Sequence, residues 1–142
     1  MRKFLIASHG RVASGIKSAV KILTRDDSAI TAVDCYMDES DFTPQIQAFI
    51  DSVQTGDEAV IFTDLLGGSV CNKVMTLRPE DYGIIHVTGV NLICVLGCLL
   101  SDDSLTPAVV DQIVSDASGL IRRVESPADD SADQDSESDF FA

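Results

Sequence analysis

Four short apolar runs, each followed by a segment whose apolar residues recur at helical spacing, predict an α/β domain built on a doubly wound, mostly parallel sheet. Two further observations agree with that class. The 142 residues suffice for one domain with a sizeable core and are too few for two ordinary ones, and the apolar fraction of 45% is that of a globular chain. Strand-like runs end in small or polar residues such as SHG and TDLLGGS, the kind of turn that carries binding sites at the carboxyl edge of a parallel sheet.

KFLIA, residues 3–7, reads as a buried strand, and Val12, Ile16, Ala19, Val20 and Leu23 follow at helical spacing. ITAVD (30–34) is the second strand, and Phe42, Ile46, Phe49, Ile50 and Val53 mark the second helix. Gly56 and Asp57 turn the chain into AVIFT (59–63), a continuous apolar run suited to a central parallel strand. A third helix is expected from about Ser69 to before Pro79, with Ser69 as its cap. YGIIHVT (82–88) is read as the fourth strand and Asn91 to Leu100 as the fourth helix. Thr106, as N-cap before Pro107, opens a fifth helix that ends at Gly119.

Ten basic against 23 acidic residues give a net charge of −13, which argues against nucleic acid or an anionic membrane surface as partner. Much of that charge is local. ESPADDSADQDSESDFFA, residues 125–142, holds seven acidic residues, no basic ones and few core formers, so a disordered acidic tail is expected after a folded domain of residues 1–124. Cys35, Cys71, Cys94 and Cys98 have no zinc-ligand spacing and read as buried small hydrophobes in a reducing compartment. The apolar stretch before Ser8 is too short for a signal peptide. Residues 84–100 divide into strand, turn and helix rather than forming a membrane span, so no membrane insertion and a cytoplasmic location are expected.

Strand order decides which loops meet. Right-handed crossovers and four strands give the order 2-1-3-4, whose winding reverses between strands 1 and 3. That places His9 and Asp64 across one crevice. The carboxylate can accept the proton of one imidazole nitrogen and leave the other as an outward lone pair, a nucleophile. Gly67 and Gly68 ahead of a helix let backbone N–H groups converge on an anion, with Ser69 adding a hydroxyl donor. Singly, each of these residues admits a plain structural role; together at adjacent strand ends they form a candidate site at which a phosphoryl group is placed on His9. Arg11 and Gly10 adjoin it, as possible contacts to a phosphate or a partner. His86 lies within an apolar run and is read as a sheet residue.

SHG after the first strand, DLLGGS with Asn72 following the third, and GVN at 89–91 after the fourth resemble the IIA domain of the mannose family of the bacterial sugar phosphotransferase system, over roughly residues 1–124. The resemblance implies a mannose-type IIA phosphocarrier domain in which His9 is phosphorylated, Asp64 is its hydrogen-bonding partner and Ser69 a ligand of the phosphoryl group. Asn72 and Asn91 are its further candidate contacts. It implies the histidine phosphocarrier protein as donor and a separate IIB subunit as acceptor, this chain being expected to act as a free-standing IIA. It also implies a homodimer with an exchanged antiparallel edge strand, for which the short extended segment LIRRV (120–124) is the candidate. Transfer between two histidines needs no metal, and no cofactor is expected. The chain departs from the family's usual aromatic at Leu66 and from its usual prolines at Val70 and Ile93. Three other readings fit the same residues: a phosphocarrier of a dihydroxyacetone kinase system, a serine hydrolase using His9, Asp64 and Ser69, and a non-catalytic flavodoxin-like binding module.

Overall fold

The computed structural model describes residues 1–127; most of the acidic tail, including Phe140 and Phe141, lies outside the described residues. Strand β1 (Arg2–His9), helix α1 (Val12–Thr24), β2 (Ile30–Cys35), α2 (Thr43–Ser52), β3 (Glu58–Thr63), α3 (Ser69–Thr76), β4 (Ile85–Thr88), α4 (Leu92–Leu100) and α5 (Pro107–Ser118) follow in that order. The four strands form one sheet of order β2-β1-β3-β4, and every pairing is parallel.

Period-two alternation sends successive side chains of β1 to opposite faces, so its apolar run feeds two cores. Phe4 and Ile6, with Val60 and Phe62 of β3, pack beneath α1, α4 and α5 through Val20, Val95, Cys98 and Val110. Phe4 and Phe62 meet edge to face with ring centroids 5.6 Å apart. Leu5 and Ala7, with Ala59 and Ile61, pack on the other face against Ile46 and Ile50 of α2 and Val70 and Val74 of α3. A strand buried on both faces must be apolar throughout, which is why β1 and β3 show runs and not alternation. The four cysteines are free and buried. Among the described residues, no helix is long and apolar enough to cross a membrane.

Capping explains where the helices begin. Arg11 precedes α1 without a side-chain cap bond; its orphan amides are met from the sheet, Ala13 N–H donating to Ser8 Oγ at 2.8 Å and Ser14 N–H to Asp34 Oδ1 at 3.0 Å. Thr106 accepts from Val109 N–H and Pro107 follows at the first turn of α5, as the sequence predicts. Two boundaries differ from expectation. The fourth strand starts at Ile85, not Tyr82, because Pro79–Tyr82 closes a 3₁₀ turn flanked by Arg78 and Gly83 at positive φ. The N-cap of α3 is Gly68, and Ser69 is its first helical residue, its hydroxyl directed elsewhere. Residues 120–124 pair with no strand among the described residues.

At the opposite, amino-terminal edge, Arg2 ties the sheet to the α4–α5 connection. Its guanidinium donates to Glu58 Oε2 at 2.8 Å and to the carbonyls of Leu99, Ser101 and Asp103. Glu58 also accepts from Leu105 N–H; the Arg2 bond, then that amide, hold its carboxyl below the ordinary value. Arg2→Ala leaves three carbonyls and a carboxylate to be met by water, and is expected to lower stability by about 2 kcal/mol. Urea unfolding measures this; an unchanged midpoint would contradict it.

Candidate functional site

The carboxyl ends of β2, β1 and β3 lie side by side, and the register His9↔Cys35 puts His9 at the last pair of β1 with β2. Gly10, at φ +57°, turns the chain off the sheet into α1, a conformation that L side chains rarely adopt. His9 therefore ends its strand with its ring over the switch point. Asp64, the first residue after β3, reaches back across it: Oδ2 accepts from His9 N–H at 2.7 Å and lies 2.9 Å from His9 Nδ1. Oδ1 accepts from Leu65 N–H at 3.0 Å.

Those bonds set the charge and tautomer. Burial alone would raise the Asp64 carboxyl, but the backbone and ring N–H groups of His9 more than offset this and hold it below the ordinary value. A carboxylate can only accept, so neutral His9 carries its proton on Nδ1 and leaves the Nε2 lone pair pointing outward. The His9 side chain is 41% exposed while that of Asp64 is 12% exposed: the orienting group is covered and the presented nitrogen is open.

The turn after β3 completes the crevice. Gly67 sits at φ +76°. Gly68 has ordinary φ, and its requirement is for space: an added Cβ would lie 3.1 Å from both Cβ and carbonyl O of Leu65 and 3.7 Å from His9 Cε1. Asn72 braces the turn, its Nδ2 donating to Gly67 O at 3.1 Å. The amides opening α3 have no acceptor within the helix and carry its positive end. Ser69 Oγ lies 3.4 Å from His9 Nε2.

Of the residues expected from sequence, His9, Gly10, Asp64, Gly67, Gly68, Ser69 and Asn72 thus converge. Arg11 is exposed beside them, with no side-chain hydrogen bond or ion pair among the described residues. Asn91 caps α4, its Oδ1 accepting from Cys94 N–H at 2.8 Å. His86 is a sheet residue, as read, but has a partner: Nε2 lies 2.8 Å from Thr63 Oγ1. Tyr36, which sequence reasoning missed, stacks on His9 with centroids 5.3 Å apart and planes at 27°, and donates its hydroxyl to Ser69 Oγ at 2.8 Å. Its one signal is position: it directly follows the strand adjoining β1.

Burial lowers the His86 imidazole below its ordinary 6.5, with Glu80 opposing weakly. The unfolded chain then binds a proton more readily than the folded one, so this contribution to stability is full above about pH 6.5 and is lost as pH falls toward the depressed folded value. His86→Gln should flatten that part of the profile between about pH 7.5 and 5.5 in urea titrations. An identical slope in the variant would contradict it.

Asp64, His9 and Ser69 lie in the order of a hydrolytic triad. However, Ser69 Oγ lies 3.4 Å from the imidazole nitrogen and already accepts from Tyr36, and Cys71 stands where the second glycine of a G-x-S-x-G nucleophile turn would be. Among the described residues no group of three His, Cys, Asp or Glu side chains could hold a metal ion.

Residues 3–114 match a family model, EIIA-man, described as the PTS system fructose IIA component. Solved structures share the fold. A protein assigned to a phosphoenolpyruvate-dependent sugar phosphotransferase system as a permease, from Klebsiella pneumoniae, superposes with a TM-score of 0.76 at 25% identity, over 86% of this chain and 90% of that one. The phosphotransferase system component EIIA from Streptococcus agalactiae gives 0.74 at 24%, over 87% and 97%. The mannose/sorbose specific IIA subunit from Enterococcus faecalis gives 0.74 at 19%, over 89% and 97%. No curated protein matches the sequence.

Proposed function

This chain belongs to the EIIA-man family of phosphotransferase system IIA components, and on that premise we propose that it accepts a phosphoryl group on His9 Nε2 from the histidine phosphocarrier protein and passes it to a IIB subunit. Membership of the family places the chain in phosphoryl transfer for sugar uptake. The observation that carries the finer reading is the His9 Nδ1 contact of 2.9 Å to a covered carboxylate, which leaves Nε2 as the one open nucleophile, facing a hydroxyl and a glycine turn.

The neutral Nε2 lone pair attacks phosphorus in line as the donor's N–P bond breaks, and that electron pair returns to the donor's ring nitrogen. His9 then carries the phosphoryl group on Nε2 and keeps its proton on Nδ1, so the ring gains positive charge. Asp64 stabilises that charge across the existing bond. Opening amides of α3 and the Ser69 hydroxyl would hold the equatorial oxygens, to which negative charge is spread. Passage to the acceptor is the same exchange reversed, with no proton transfer to the solvent and no nucleotide consumed.

A protein must bring the donor, and the rim supports this. Val12, Tyr36, Met37, Leu65 and Leu66 are exposed large apolar residues on the loops and helix start that follow β1, β2 and β3. Arg11 beside them is exposed as well. We place this activity in the cytoplasm, where the phosphocarrier protein is expected.

The test is incubation with a phosphocarrier-regenerating mixture followed by intact mass. A gain of one phosphate that is acid-labile and base-stable is expected; no gain, or an acid-stable phosphate, would overturn the reading. A homodimer joined through residues 120–124 is part of the same proposal, since Leu120, Ile121 and Val124 are exposed apolar residues without a strand partner among the described residues. Light scattering at micromolar concentration should give twice the chain mass, and a monomer would sink it.

A further inference from the structure

We infer that Tyr36 is a positioning residue of this site, one that holds the Ser69 hydroxyl so that its proton is aimed at His9 Nε2 before transfer and at a phosphoryl oxygen after it; the inference rests on the phosphocarrier reading. Hydrogen-bond polarity leaves few choices. Asp64 can only accept, so Nδ1 holds the ring proton and Nε2 can only accept in turn. A hydroxyl facing Nε2 must therefore donate, and Ser69 Oγ, 3.4 Å away, is that hydroxyl. Its lone pairs are then open to a donor, and the Tyr36 hydroxyl supplies one at 2.8 Å. The three groups form a directed relay, Tyr36 to Ser69 to Nε2, in which each bond polarises the next and makes Ser69 a stronger donor.

Tyr36 is held for this task at a cost. It adopts φ +64°, uncommon for a bulky residue, although it follows a strand and is 55% exposed. Two ring contacts over-determine it: Phe42, itself buried, meets the Tyr36 ring edge to face at 5.3 Å, and His9 stacks on it at 5.3 Å. Once Nε2 forms the N–P bond its lone pair is used, and the Ser69 proton turns to the nearest phosphoryl oxygen while Tyr36 keeps its bond to Oγ. No proton changes owner.

A double-mutant cycle of Tyr36→Phe and Ser69→Ala tests the relay, because the phenylalanine keeps both ring contacts and removes only the hydroxyl. Tyr36→Phe is expected to lower the saturated phosphorylation rate about threefold to tenfold, the size of one hydrogen bond, without changing the donor concentration for half-saturation. In the Ser69→Ala background it should do nothing further. A second readout needs no phosphate: in the unmodified protein the ¹⁵N resonance of His9 Nε2 should shift in the same sense in both single variants, and no further in the double one. A wild-type rate or an unmoved Nε2 resonance in Tyr36→Phe, or effects that multiply in the double variant, would overturn the relay. If the wild-type chain takes up no phosphate, the phosphocarrier reading fails, and the Nε2 resonances decide the relay alone.

Discussion

Replacing His9 with alanine is expected to abolish phosphoryl incorporation while leaving the fold in place. The residue ends its strand, its side chain is 41% exposed, and the strand is held by backbone pairing with both β2 and β3. Asp64 is not orphaned by the change. It keeps the backbone N–H bonds of residue 9, at 2.7 Å, and Leu65, at 3.0 Å, and it is close enough to the surface for water to take the vacated site. The loss of one stacking contact and one ring bond should therefore cost about 1 kcal/mol, well within the stability of a domain of this size. Intact mass should show no added phosphate under conditions that label the wild type, with the thermal transition only slightly lowered. Labelling of the alanine variant at the wild-type rate would remove His9 from the account.

Asp64→Asn should slow transfer without moving the label. Asp64 accepts at both oxygens, from His9 at Oδ2 and from Leu65 N–H at Oδ1. An amide has one acceptor, so whichever way it is turned its NH₂ faces a donor, either the Leu65 amide or the two His9 N–H groups. One orientation keeps the His9 bonds but gives up the negative charge that stabilises the ring as phosphorus binds; the other presents a donor to Nδ1 and favours the wrong tautomer. A charge-assisted hydrogen bond lost in the transition state corresponds to roughly a ten- to hundredfold slower transfer. In a hydrolytic triad the comparable change costs about ten thousandfold, because there the imidazole must also relay a proton. Rapid-quench labelling measures the rate and peptide mapping the position. An unchanged rate, or label on a residue other than His9, would contradict the role given to Asp64.

The parts of this fold that follow from periodicity were legible in the sequence. β1 and β3 are buried on both faces and so appear as unbroken apolar runs, and with four parallel strands the right-handed crossover rule leaves the order β2-β1-β3-β4 as the common solution. Once that order is fixed, His9 and Asp64 must meet, since one ends and the other directly follows one of two adjacent central strands. What stayed hidden depends on atoms that no period encodes. Tyr82 and Gly83 look like a strand entrance, but Pro79 and two left-handed residues curl them into a turn. Ser69 looks like a cap because serine usually is one, yet Gly68 takes that place and frees the serine hydroxyl for Tyr36 and His9. Tyr36 carries no pattern at all. The strand before it was legible, but the positive φ that brings its ring over His9 is not written in the residues around it.

The most direct measurement of the central claim is the nitrogen that carries phosphorus. In ¹⁵N-labelled, phosphorylated protein, correlation of the His9 ring nitrogens with ³¹P should show the one-bond coupling at Nε2, with Nδ1 still protonated toward Asp64. Phosphorus coupled to Nδ1, or a phosphorylated chain in which neither His9 nitrogen is coupled, would contradict the arrangement in which Asp64 holds one side of the ring and presents the other.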